Sequence, residues 1–115
     1  MSLEQHVPSR ELCEEWKRRG GRQDTLMCWH KYSNNLEWQV VNVPVRFRAN
    51  GDIAAPLVSE MMEWLKAVID VSSTIEEYEV VLFASAIVKR DKSLPNALMQ
   101  MCISRKEEED GMETK

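Results

Sequence analysis

Cys28 and His30 offer a soft sulfur donor and an imidazole, and they stand two apart in a stretch, Leu26 to Tyr32, where the apolar pattern has a period of two. Residues two apart on an extended chain share a face. Cys28-x-His30 would therefore make half of a zinc site, or set a thiol beside a base. A structural zinc needs four ligands and a catalytic zinc three plus water. The other candidates are His6, Cys13, Cys102 and scattered carboxylates, with no second Cys-x-x-Cys or His-x-x-x-His pair. A thiolate nucleophile needs a cation or base beside it to lower its pKa, and a third group to orient that base; the spacing supplies no such third group. The pair reads as a packed cysteine next to a strand histidine, with no metal or cofactor expected.

Glu76-Glu77-x-Glu79 would suit acid–base work or a divalent cation, but no Asp-rich loop or second acidic cluster supports it, and a solvated entry to a strand is the simpler account. Lys17, Arg18, Arg19 and Arg22 cluster near one turn, and Arg46 and Arg48 fall on one face of an extended run near Trp38. Arginines interleaved with aromatics can hold single strands. The net charge of −4 opposes that use, because nucleic-acid affinity rests on neutralising phosphates. Met61-Met62-x-Trp64, Met99 and Met101 would serve an adaptable partner surface or a small core equally well. There is no P-loop, dinucleotide-binding glycine motif or Ser/His/Asp arrangement.

The elements that position these residues are those of one domain. The chain has 115 residues, 43% hydrophobic and 30% charged, the balance of a globular protein. Ser9 caps a first helix, with Leu12, Cys13 and Trp16 on one side, and Gly20-Gly21 ends it. Two extended runs follow, Leu26 to Tyr32 and Leu36 to Phe47, joined by a turn at Ser33-Asn34-Asn35, with Pro44 marking an edge or an interruption. Asn50-Gly51 turns into a short strand at Ile53. Pro56 opens a helix whose stripe is Leu57, Val58, Met61, Met62, Leu65, Val68 and Ile69, with an acidic opposite face unsuited to a membrane surface. Thr74 and Glu77 would fit a capping box, yet the strand formers of Tyr78–Val88 favour a buried central strand. Lys89 to Lys92 reads as a polar connection, and Ser93 caps a closing helix. The class is α+β, a small, mostly antiparallel sheet with about three helices in the order α-β-β-α-β-α. One domain is expected over 1–104, then a loose acidic tail over 105–115, where Glu107 to Asp110 repel one another.

The segments VPSRELCEEWKRRGGRQDTLMCWH, IAAPLVSEMMEWL and SLPNALMQM, in this order, resemble a family of small hypothetical proteins of bacteriophages and of prophages in gut Bacteroides-type bacteria, a family without an assigned activity. The resemblance runs from about Val7 to Met101 and implies a phage or prophage protein. Its shared motifs are neither ligand nor catalytic signatures, so no functional residue carries over. Here Ser104-Arg105-Lys106 turns polar where the family pattern continues apolar and aromatic.

The expected role is a non-catalytic protein-interaction or self-associating module, a homodimer or a complex with a protein partner. Trp29, Trp38, Arg46 and Arg48 form its candidate interaction surface. The alternative is a small enzyme or ligand-binding domain with a site assembled from His30, Tyr32, Glu77 and Tyr78. Three cysteines without framework spacing, no apolar leader and no apolar run near membrane length point to the cytoplasm.

Overall fold

The computed structural model describes residues 3–32, 37–49, 51–65, 69–82 and 87–113. The Ser9 hydroxyl accepts the Leu12 N–H at 3.4 Å and starts helix α1 (Arg10–Arg18), with Glu11 in the first turn where the helix dipole favours a carboxylate. The helix closes on Gly20 at φ 80°. Gly20 N–H donates to the Lys17 carbonyl at 3.0 Å and Gly21 N–H to the Trp16 carbonyl at 2.8 Å, the paired bonds of a Schellman end. Cys13 and Trp16 face inward.

Strand β1 (Cys28–Lys31) lies between β2 (Trp38–Val41) and β3 (Ile53–Ala54), both antiparallel to it, with Trp29 opposite Val40 and Ile53. The turn expected at Ser33–Asn35, and Asn50, lie outside the described residues. The long alternation after Trp38 is not one strand. Pro44 has no N–H for a ladder; its carbonyl accepts the Phe47 N–H at 2.9 Å and winds Val45–Phe47 into a 3₁₀ turn.

Helix α2 (Val58–Leu65) starts where the Glu60 carboxylate accepts the Leu57 N–H at 2.9 Å, half of a capping box. Met61 and Leu65 are fully buried. Ile69, expected in this helix, instead begins β4 (Ile69–Ser73), and 66–68 lie outside the described residues. Strand β5 (Tyr78–Leu82) is the central strand of a second antiparallel sheet, between β4 and β6 (Ile87–Asp91). Thr74 and Glu77 close the β4–β5 hairpin: Thr74 N–H donates to the Glu77 carbonyl at 2.8 Å, and the Thr74 hydroxyl accepts the Glu77 N–H at 3.1 Å. The stretch expected as one strand is thus divided between β5 and β6, with 83–86 outside the described residues. Lys89 to Asp91, expected as a connection, is a charged edge strand, which suits an edge that has to resist pairing.

Helix α3 (Leu94–Glu113) opens where the Ser93 hydroxyl accepts the Asn96 N–H at 3.3 Å. It packs against α1, α2, β5 and β6, so Ala97, Leu98, Met99, Met101, Cys102 and Ile103 are all buried. The helix continues beyond 104, where the tail was expected, to Glu113. Lys and Glu are good helix formers, and Glu107 pairs with Arg19 of the α1 end at 3.1 Å.

The class is α+β: three helices and two antiparallel three-stranded sheets, with helices and strand groups in the order α-β-β-α-β-α. One core gathers Trp16, Met61, Leu65, Val80, Leu98 and their neighbours around α3, and another gathers Val7, Cys13, Trp29, Val40 and Ile53 on the first sheet. Helix α1 serves both, giving Cys13 to one and Trp16 to the other. With extents of 45 × 41 × 20 Å, the molecule has room for about two layers, since stacked layers lie about 10 Å apart.

Candidate functional site

Cys28 and His30 do share a face of β1, and different neighbours engage them. Cys28 is fully buried, and burial raises its thiol pKa against the opposing charge of Arg48. His30 Nδ1 lies 2.7 Å from Asp52 Oδ1, and its ring meets Tyr32 edge-on at 4.8 Å. The other Asp52 oxygen accepts the Ala49 N–H at 2.9 Å, and Lys17 Nζ donates to the Asp52 carbonyl at 2.8 Å. Asp52 thereby closes the turn before β3 and fastens it to β1 and α1. Among the described residues no group of three His, Cys, Asp or Glu is placed to hold a metal ion. Tyr78 begins β5 of the other sheet and Glu77 ends the turn before it, whereas His30 lies on β1 of the first sheet and Tyr32 follows its end.

The remaining thiols are core groups. Burial pushes both Cys13 and Cys102 up to about 12. The Cys13 thiol donates weakly to the Pro8 carbonyl at 3.7 Å. The Trp29 indole N–H makes no hydrogen bond of normal geometry among the described residues. Its influence falls on the Cys13 sulfur, where it opposes the larger effect of burial.

The four residues read as an interaction surface take separate roles. Trp29, 7% exposed, is a core residue. Trp38 is half-buried at the rim of that core, with the Arg10 guanidinium 5.1 Å from its ring centre. Arg48 turns inward: Nε donates to the Val43 carbonyl at 2.9 Å and Nη1 to the Gln23 carbonyl at 2.7 Å, while Nη2 donates to the Thr25 and Met27 carbonyls. One planar guanidinium thus ties segment 23–27 to segment 43–48. Arg46 stays outside, 4.9 Å from the centre of the Phe47 ring. On the two segments that Arg48 joins, Leu26 is 59%, Val45 49% and Phe47 68% exposed. Val45 and Phe47 end the extended run expected from the sequence; the turn after Pro44 leaves them exposed instead.

A second feature had no signal in the spacing. Trp16 and Trp64 stack with ring centres 5.7 Å apart and planes 16° from parallel. Trp16 is fixed on both counts that matter: its indole N–H donates to the Arg22 carbonyl at 2.9 Å, and a Cβ on Gly21 would run into the ring. The Arg22 guanidinium sits 5.4 Å from the Trp64 ring centre and is held by both carboxylate oxygens of Asp24, at 3.1 and 2.9 Å. That bond lowers the Asp24 pKa and raises that of Arg22. The two indoles open on a cleft of about 590 Å³ between the α1 end, α2 and α3, which Arg22, Arg105, Lys106 and Glu63 also line.

Comparison of the chain with protein-family models, with curated proteins and with solved structures finds no match.

Proposed function

We propose that this chain is a small non-catalytic interaction module, of the phage or prophage kind its sequence resembles, and that it self-associates through the loops carrying Leu26, Val45 and Phe47. The observation that carries this reading is the exposure of three large apolar side chains on two loops fastened together by Arg48. Single exposed apolar residues are ordinary, whereas several held together usually mark an interaction site. Because the platform is already ordered by hydrogen bonds to backbone, docking costs little in loop entropy. An aromatic with an arginine over its ring, as in Phe47 and Arg46, is the kind of pair found at interface anchors. The non-catalytic half rests on the thiols, whose pKa values burial raises, and on His30, which Asp52 engages in a structural turn.

The partner is protein in this reading. A chain of net charge −4 draws phosphates poorly. No helix among the described residues is long and apolar enough to cross a membrane. Three free, buried cysteines suit the reducing cytoplasm. A second copy is the partner to test first, since two-fold dimers are the commonest soluble oligomers. Light scattering at micromolar concentration should give a dimer mass for the wild type and a monomer mass for Phe47→Asp, with unchanged circular dichroism. A wild-type monomer, or a dimer indifferent to Phe47→Asp, overturns the assignment.

A further inference from the structure

We propose that the open edge of β4 receives an extended segment of a partner protein, alternating basic with apolar residues, as an added antiparallel strand. Strand β4 pairs with β5 along one side, and among the described residues β5 is its only extensive neighbour. The Thr74 N–H bond to the Glu77 carbonyl fixes the alternation of that ladder. Ser72 and Asp70 exchange bonds with Glu79 and Val81, so Val71 and Ser73 aim their N–H and C=O at the open side. The other sheet edges are guarded. Strand β6 carries Lys89 and Arg90, β3 is two residues long and lies against α1, and β2 packs against the 3₁₀ turn Leu3–His6. Strand β4 is five residues long and holds no Lys, Arg or Pro.

The side chains along this edge select the occupant. Val71 shares a face with Ile69 and packs at the margin of the α3 core, while Asp70 and Ser72 lie exposed on the opposite face. An added strand sets alternate side chains beside Val71 and the rest beside Asp70. The β4–β5 hairpin carries Asp70, Glu76, Glu77 and Glu79 and no cation. Arg90 holds Glu79, which leaves Asp70 on the strand and Glu76 at the turn, both exposed. Ile75, fully exposed between Thr74 and Glu76, carries the apolar surface past the strand end. The complement is a chain with apolar side chains on its inner face and Lys or Arg on its outer one. The β4 of a second copy brings another acid and no cation. In such an arrangement main-chain bonds give affinity and the alternating side chains give selectivity. The edge shares no residue with the Leu26–Phe47 platform, so either can fail alone.

The test is amide hydrogen exchange of the full chain, followed in nitrogen–proton correlation spectra with acetylated, amidated heptapeptides. One peptide alternates valine with lysine and a second alternates valine with glutamate. A third is the first N-methylated at each valine, the residues whose N–H groups meet Val71 in antiparallel pairing. Exchange at Val71 and Ser73 should slow about tenfold when the valine–lysine peptide stands at about ten times its Kd. Exchange at Arg90, on the guarded β6 edge, should not change. The glutamate and N-methylated peptides should leave Val71 and Ser73 unprotected. Asp70→Lys, at an exposed position, should weaken binding by about tenfold with unchanged circular dichroism, and Phe47→Asp should bind as the wild type does. No saturable slowing at millimolar valine–lysine peptide overturns the proposal, as does equal action of the N-methylated or glutamate peptide. Protection of Val71 that rises with protein concentration alone also overturns it, because a second copy then occupies the edge.

Discussion

The two sheets have the same number of strands and the same antiparallel pairing, yet different forces hold them. The β4-β5-β6 sheet lies against α3, and what joins them is apolar: Val80, Leu82, Leu98, Met99 and Met101 leave water almost completely. The β2-β1-β3 sheet has an apolar face toward α1, but β3 is only two residues long, and the loops around the sheet are held by polar side chains. Arg48 collects four carbonyls, Asp52 closes a turn onto His30, and Lys17 bonds the Asp52 carbonyl. Short strands leave backbone groups without ladder partners, and such groups are costly unless something bonds them. The apolar half gains stability from burial; the polar half gains a fixed loop platform.

The largest expected effect lies in the apolar half. Leu65 is 1% exposed and packed in the α3 core, so Leu65→Ala should cost about 2–5 kcal/mol through lost burial and the cavity left behind. Chemical denaturation measures it. A cost below that of removing Arg48 would reverse the ranking of the two halves.

Arg48→Ala should cost about 2 kcal/mol, the range for hydrogen bonds to a charged group, discounted because the side chain is only half-buried. Arg48→Lys should recover little, since one ammonium cannot reproduce the planar fork that reaches four carbonyls. Hydrogen exchange should quicken in 23–27 and 43–48 and stay slow in β5. Equal quickening in both sheets would show that the clamp is not local.

Much of the apolar half was legible in the sequence, and little of the polar half. The stripe through Met61 and Leu65, the central strand at Val80 and the Ser93 cap are local patterns, and local patterns are written in spacing. Met62 leaves its stripe and is 38% exposed, whereas Met61 and Leu65 on the inner side of α2 are buried against α3. Arg48 reads from the sequence as part of an interaction surface, because nothing in a sequence says which distant carbonyls lack partners. The Trp16–Trp64 stack was hidden for the same reason: two tryptophans far apart in the chain meet only once α1 and α2 are packed. Gly21, read as a helix stop, was also the space that Trp16 needs.

Alkaline pH should loosen both halves together, because each holds one cysteine pushed up to about 12, Cys13 beside the first sheet and Cys102 on α3. The folded chain binds these protons more tightly than the unfolded chain, where a thiol has its ordinary value of 9.0. That stabilisation is complete below about pH 9 and is lost as pH rises through about 12. At pH 10 each thiol should account for about 1.4 kcal/mol of lost stability. Cys102→Ala should therefore flatten the fall between pH 8 and 10, measured by denaturation at each pH relative to its own value at pH 8, by about that amount. An unchanged slope would mean that Cys102 reaches water in the folded state.

The smallest effect on stability should come from the outer face of the second sheet, and it decides between two candidate places for copies of the chain to meet. On that face Val81 and Val88 are opposite one another, beside the Glu79–Arg90 ion pair at 2.7 Å, and Val88 is 42% exposed. Val88→Lys removes an exposed methyl pair and adds a charge to an edge strand that already carries Lys89 and Arg90. The change in stability should stay within about 0.5 kcal/mol, as for other surface substitutions. The dimer mass should also survive, because in this account association belongs to the loops that Arg48 holds and not to the open sheet. Paired with Phe47→Asp, the experiment has two clean outcomes. Loss of the dimer in Phe47→Asp alone places the interface on the polar half. Loss in Val88→Lys alone moves it to the apolar half, and would show that the sheet left open by the two-layer fold, more than the clamped loops, is what a second copy covers.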